Sequence, residues 1–254
     1  MWKFVGASVI GTSHAELNLP CQDNCHVENL SIVDGADYLL CLVSDGAGSA
    51  KEGGQGAKLA CATAKASIVA TLLKHRAAAL DESMVEAWIN DIRCAIAETA
   101  SANALTPRDY ACTFLGALIT PGKAVFFQIG DGAIVASSSE VQGVVFWPDS
   151  GPYANMTHFV TEDDALIHLH VLITNSRIEE VALFTDGIQR LALSFEQLSP
   201  HTPFFDPMFK ALRSQNPANC GSLNERLADF LNGAQINSRT DDDKTLILAS
   251  RRTK

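Results

Sequence analysis

Residues 39–56, LLCLVSDGAGSAKEGGQG, constrain the fold more than any other stretch of the chain. Leu39, Leu40, Leu42 and Val43 form an apolar run that reads as a strand, and Asp45-Gly46 ends it. Gly48, Gly53, Gly54 and Gly56 then lead into an alanine-rich helical pattern. A carboxylate fixed at the end of a buried strand, beside backbone that only glycine permits, is a common way to hold a hard cation. Taken alone, Asp-Gly is also ordinary turn chemistry.

The pattern recurs, and recurrence favours the cation reading. Residues 181–187, VALFTDG, are a second apolar strand ending on Asp186-Gly187. Residues 126–132, FFQIGDG, are a third, ending at Asp131, although AIVA after it also fits a hairpin turn. Asp34-Gly35, between SIV and DYLLCLV, reads as a hairpin turn. Near the C-terminus, TDDDKTLILAS is an acidic cluster opening the last strand.

Around these points the chain alternates strands with helices. Strands are expected at residues 2–10, 24–33 and 37–44. A helix starts near Gln55, with Ala57, Ala60, Cys61, Ala64, Ile68 and Leu72 on one face. A second starts near residues 81–83, where Ser83 and Glu86 have capping-box spacing, and Val85, Trp88, Ile89, Ile92 and Ile96 form its stripe. Residues 111–147 read as a run of strands, 148–165 as an exposed loop, and 166–173 and 180–185 as further strands. A short helix follows Gly187, then a connector at 200–207, a helix at 207–214, and a last helix boxed by Ser222 and Glu225 with Leu223, Leu227, Phe230 and Leu231 inward. Strand 244–250 closes the chain. At 254 residues, 47% hydrophobic and without a linker or repeat, residues 1–254 are expected to form one domain of the α+β class.

Composition also excludes function classes. A formal net charge of −10 argues against nucleic acid and against an anionic membrane surface as partners. No apolar run is read as approaching the roughly 20 residues that span a bilayer. Seven scattered cysteines fit reduced thiols and a cytoplasmic location. Cys21-x3-Cys25-His26 lacks a second ligand pair and is not read as a zinc site. No GxxxxGK[ST] loop is present. Carboxylates at strand ends, with no His or Cys ligand set, favour magnesium or manganese over zinc or copper. Such a cluster suits metal-assisted hydrolysis of a phosphate ester.

At this point the chain resembles the metal-dependent serine/threonine protein phosphatases of type 2C, in their bacterial form. PCQDN (residues 20–24) is similar to the first acidic motif, with Asp23 its final aspartate. VSDGAGS (43–49) resembles the signature DGxGG, with Asp45 bridging two metal ions and Gly46 offering its carbonyl. ACTFLGA (111–117) resembles the threonine motif, IGDG (129–132) the GDS motif and FTDGI (184–188) the SDG motif, with Asp186 a ligand. DDKT (242–245) resembles DNxT, with Asp242 the ligand carried over. The resemblance implies a central antiparallel β-sandwich flanked by helix pairs, an α-β-β-α four-layer arrangement. It implies two manganese or magnesium ions and a bridging water that attacks phosphorus while Asp23 orients it. The substrate implied is a phosphorylated protein, and the activity opposes a serine/threonine kinase.

The chain departs from that family in several places. Asn18 stands where an arginine often binds the substrate phosphate, with His14 nearby. Ala47 stands where many relatives have a histidine, and Ser49 replaces the last signature glycine. Arg190 replaces an aspartate that, with Asp131, holds a looser third ion in some relatives, so a third ion is expected to be absent or weak. Arg190 either pairs with Asp131 or faces solvent. A pseudophosphatase that binds phosphoprotein without turnover, or a hydrolase of small phosphate esters, remains an alternative.

Overall fold

A computed structural model of the chain describes residues 1–31, 37–75, 77–138, 142–148, 157–216 and 221–252. Its elements run β1 (Lys3–Val9), α1 (Thr12–Glu16), β2 (Asp23–Leu30), β3 (Tyr38–Asp45), α2 (Gly53–Lys74), α3 (Glu82–Ala102), β4 (Phe114–Ile119) and β5 (Ala124–Ile129). They continue with β6 (Ala133–Ser137), β7 (Gln142–Val144), β8 (His170–Thr174), β9 (Glu180–Phe184), α4 (Gln189–Ala192), β10 (Leu193–Ser194) and β11 (Ser199–Pro200). α5 (Thr202–Ser214), α6 (Gly221–Leu231), α7 (Ala234–Asn237) and β12 (Lys244–Ser250) complete the chain.

Two five-stranded sheets, ordered β1-β12-β9-β6-β7 and β2-β3-β4-β5-β8, are antiparallel throughout. Alternation along β3 explains how they stack. Leu40 and Leu42 face α2 and α3, packing with Ala57, Ala60, Ala64, Trp88 and Ile92. Leu39, Cys41 and Val43 point the other way and meet Leu183, Ile247 and Ala249 of the other sheet. That sheet's outer face, with Ala182, Phe184, Leu246 and Leu248, packs on Phe205, Phe209 and Leu212 of α5 and on Leu227 and Leu231 of α6. Helices, sheet, sheet, helices: the four layers are those expected. A strand covered on both faces reads as a continuous apolar run, which is why the alternation in β3 is invisible as polarity.

The helical stripes of α2 and α3 are buried as the spacing requires. By length and hydropathy α2 would also suffice to cross a membrane, contrary to the sequence expectation. Its Ala57-Ala60-Cys61-Ala64-Ile68 face is instead packed in the core.

Several local expectations are corrected. α3 begins one residue after Asp81, whose carboxylate accepts from the Met84 amide, so Asp81 is the cap and no Ser83–Glu86 box forms. Ser222 lies within α6 instead of ahead of it, and Phe230 is exposed instead of inward. The connector at 200–207 is the first part of α5, which tolerates Pro203 in its first turn and carries Pro207 inside. The strand expected at 166–173 begins only at His170, because residues 165–168 form a 3₁₀ turn. α1 and the small β10–β11 hairpin were not anticipated. The turn at Asp34-Gly35 and residues 149–156 of the expected loop lie outside the described residues.

One correction bears on the site. Asp131-Gly132 does not make a hairpin: β5 pairs with β4 and β8, whereas β6 pairs with β7 and β9. The chain crosses between sheets at Asp131, through Gly130 at φ +108°. A side chain at Gly130 would also collide with Thr113, 2.6 Å from its Cβ position.

Candidate metal centre

Four carboxylates meet where strands of both sheets end. Asp23 opens β2 directly opposite Asp45, the last residue of β3. The Asp45 backbone is pinned by Thr113, whose amide donates to the Asp45 carbonyl (2.8 Å) and whose hydroxyl accepts from the Asp45 amide (3.1 Å). Gly46 donates to the Gln22 carbonyl and Ala47 to that of Ala111, so the PCQDN, SDGAG and ACT segments form one rim. Asp186 follows β9 in a 3₁₀ turn whose Gly187 presses on residue 243. A Cβ at Gly187 would stand 1.9 Å from the Asp243 carbonyl oxygen, so glycine is what lets this turn meet the start of β12.

Asp23 ties the two sheets together. Its Oδ2 accepts from the Thr185 hydroxyl (2.9 Å) and the Thr245 hydroxyl (2.7 Å), both on the opposite sheet. Its Oδ1 is buried without a hydrogen-bond partner, as is Oδ1 of Asp186. Buried polar atoms are rarely left in this state.

Electrostatics points the same way. Burial pushes the Asp23 carboxyl up to about 7 despite the two threonine hydroxyls. Burial, then Asp131 and Asp242, push Asp186 up to about 7. Asp45 is raised well above the usual range by burial first, then by Asp23, Asp186 and Asp242. Burial raises Asp242 as well, against the Asp243 amide it accepts from. Like charges crowded in low dielectric demand protons or a cation. The donors are all oxygens and two are unsatisfied, so this set fits magnesium or manganese.

Asp242 and Asp243 part company here. Asp243 accepts the amides of Gly11 (2.6 Å) and Gln22 (2.5 Å), with His14 Nδ1 3.0 Å from its Oδ2. Its oxygens are spent on holding α1 and the PCQDN segment, whereas Asp242 is the one whose charge raises Asp45 and Asp186. Sequence reasoning had not assigned Asp243, Thr185, Thr245 or Thr113 a part. Only their positions beside the acidic motifs hinted at one.

The remaining positions are distinct. Asp131 accepts from the Thr157 hydroxyl through Oδ2 and from the Gln189 amide through its carbonyl. Arg190, the next residue, is exposed on α4. It faces solvent. Asn18 is exposed at φ +55°, a left-handed position that asparagine tolerates better than arginine. Ala47 is buried and offers no proton. Cys25 and His26 are consecutive on β2 and so point to opposite faces, which bars a shared metal.

Residues 10–232 match the family described as Protein phosphatase 2C. The chain belongs to that family. It is 41% identical over 248 residues to Serine/threonine-protein phosphatase 3 of Escherichia coli (strain K12), covering 98% of each chain. In three dimensions this phosphatase 2C chain is similar to the Serine/threonine phosphatase Stp1 from Staphylococcus aureus, with TM-score 0.62, 15% identity and coverage of 99% and 96%. It is also similar to the catalytic domain of the phosphatase PstP in complex with 2 manganese ions, with TM-score 0.63, 15% identity and coverage of 98% and 97%. At such identities the structural likeness speaks for the fold.

Proposed function

We propose that this phosphatase 2C chain is one phosphatase domain that hydrolyses phosphoserine and phosphothreonine in proteins, using two manganese or magnesium ions. The observation that carries the reading is the cluster of Asp23, Asp45, Asp186 and Asp242, with Asp23 buried, Asp45 and Asp186 half-buried, Asp242 at the exposed rim, and two carboxylate oxygens unsatisfied. Asp45, central among the acids, would hold the ions together with Asp186 and Asp242, and the Gly46 carbonyl would add another oxygen. Divalent manganese or magnesium, when bound, supplies the charge that holds the phosphate and lowers the pKa of the attacking water. Asp23 orients that water through Oδ1, because Oδ2 is held by Thr185 and Thr245. Asn18, exposed and uncharged, places no cation where the phosphate would bind, so phosphate binding rests more on the metals. Asp131, already engaged by Thr157, supports at most a weak third ion. The enzyme acts in the cytoplasm against a serine/threonine kinase.

The direct test is phosphate release from a phosphothreonine peptide, with millimolar manganese and then with excess chelator. Turnover that the chelator abolishes is expected. No turnover of any phosphopeptide or aryl phosphate would instead make the chain a phosphoprotein-binding pseudophosphatase. A larger specificity constant for a small ester than for peptides would reassign the substrate.

A further inference from the structure

A second group of ligands lies outside the carboxylate centre. His158, Glu162 and His168 each offer an atom, all within 4.8 Å of one another. His158 Nδ1 is 3.1 Å from Glu162 Oε2, and His168 Nε2 is 3.5 Å from Asp164 Oδ2. We infer that His158, Glu162 and His168 form a second metal site, for a borderline dication of the zinc class.

The donor set sets this site apart. Two imidazole nitrogens and one carboxylate oxygen suit zinc, whereas the all-oxygen cluster suits harder ions. Three protein ligands leave a fourth position for water or a substrate atom. Carboxylates that orient ligating histidines are common in such sites, and Asp164 stands where it can orient His168.

The backbone under these side chains is held firmly. Val160 is fully buried, and its amide donates to the Cys112 carbonyl (3.0 Å). Arg93 donates to the carbonyls of Val160 and Glu162 from α3. Ala165 is fully buried as well. Only side-chain torsions need to change for the site to close. Ligands about 2.0–2.1 Å from a tetrahedral zinc stand roughly 3.3 Å apart, so atoms now spread over up to 4.8 Å must draw in by about 1.5 Å.

The arrangement of the two rings gives the test its signature. The two imidazole rings are stacked, 3.4 Å between centroids and 8° from parallel. In that pose their in-plane lone pairs run side by side and do not converge on one ion. Binding therefore requires at least one ring to turn about its Cβ–Cγ bond and break the stack. Because Thr157 next to His158 holds Asp131, an ion here also ties down the segment at that corner of the carboxylate centre.

The experiment equilibrates the chelator-stripped protein with zinc in millimolar magnesium, dialyses it and measures retained zinc for wild type, His158→Ala and His168→Ala. Wild type is expected to retain one equivalent more than either variant, and its histidine ring protons should lose their stacking shifts on zinc addition. His168→Ala should keep manganese-dependent activity within about twofold, since it is not part of the carboxylate centre. Glu162→Gln, the milder change, replaces a charged ligand oxygen by a neutral one and should leave less zinc retained than in wild type. Folded alanine variants that retain as much zinc as wild type, or ring signals that zinc leaves unmoved, overturn the site.

Discussion

Two aspartates at the rim of the sandwich, Asp23 and Asp131, are held in opposite ways. Asp23 is fully fixed by regular structure: it is in register with Asp45, and threonines at the end of β9 and within β12 grip its Oδ2. Asp131 sits at a crossing between sheets and is gripped by Thr157, which lies outside the named strands, and by Gln189 of a four-residue helix. One carboxylate is aimed by the sheets themselves, the other by loops. A site that must hold its geometry against mutual repulsion is better built on strand ends, and there the four raised carboxyls lie.

The largest effect is expected where the strand-end carboxylates are lost. Asp45→Asn or Asp186→Asn should reduce manganese-dependent turnover of a phosphopeptide by ~100-fold or more, because each removes a charge proposed to bind the ion. Both variants should stay folded, and the metal-free proteins should melt at or above the wild-type temperature, since a repelling charge is gone. A folded variant with more than about a tenth of wild-type activity would remove that residue from the centre.

Next comes the grip on Asp23. Replacing Thr185 and Thr245 together by valine should lower kcat by about tenfold, with a smaller change in KM, because Asp23 loses its aim. It should also cost about 1–3 kcal/mol of stability, the range for a buried acceptor left unsatisfied, read from denaturant unfolding. Unchanged kcat would mean that β2 alone aims Asp23, and the contrast with Asp131 would lose half its basis.

A third outcome concerns pH. Asp23 and Asp186 hold their protons up to about 7 in the folded metal-free chain, above the ordinary value of 3.8. As pH rises from about 4 to about 7 the unfolded chain gives up protons that the folded chain keeps, so stability falls across that window. Metal-free protein should thus melt several degrees lower at pH 8 than at pH 5, and saturating manganese should reverse the order. A flat profile for these groups would mean the four acids do not share one desolvated space.

The smallest effect is expected at the loop-held acid. Asp131→Ala should reduce activity less than about threefold, far less than Asp186→Ala, because on the proposed reading Asp131 would serve at most a weak third ion. A third ion seen on Asp131 by anomalous scattering at low millimolar manganese would erase the distinction.

Much of this was legible in the chain before folding. Strand-Asp-Gly punctuation at Asp45 and Asp186, the alanine face of α2 and the Val85-to-Ile96 stripe of α3 are local patterns, and period and turn chemistry express them within a few residues. The acids were legible, but their roles were not. Asp242 and Asp243 are chemically identical neighbours, and only the amides of Gly11 and Gln22 tell them apart, from 232 and 221 residues away. The cap of α3 is ambiguous in the sequence because Asp81 and Ser83 both suit the position, and the Met84 amide selects the first.

What the sequence determined by itself was therefore the set of elements and the acidic strand ends, because hydrophobic period and Asp-Gly turns act over short spans. Tertiary structure alone decided that β5 and β6 belong to different sheets, which turned Asp131 from a hairpin residue into a crossing. It decided that Arg190 faces solvent while Gln189 turns to Asp131. It brought Thr185 and Thr245 onto Asp23, partners 162 and 222 residues distant in the chain. Contacts of that separation are chosen by how two sheets stack to bury Leu39, Cys41 and Val43 against Leu183, Ile247 and Ala249. Apolar burial is non-directional, so no local pattern states its outcome, and the polar atoms of the site take their partners from it.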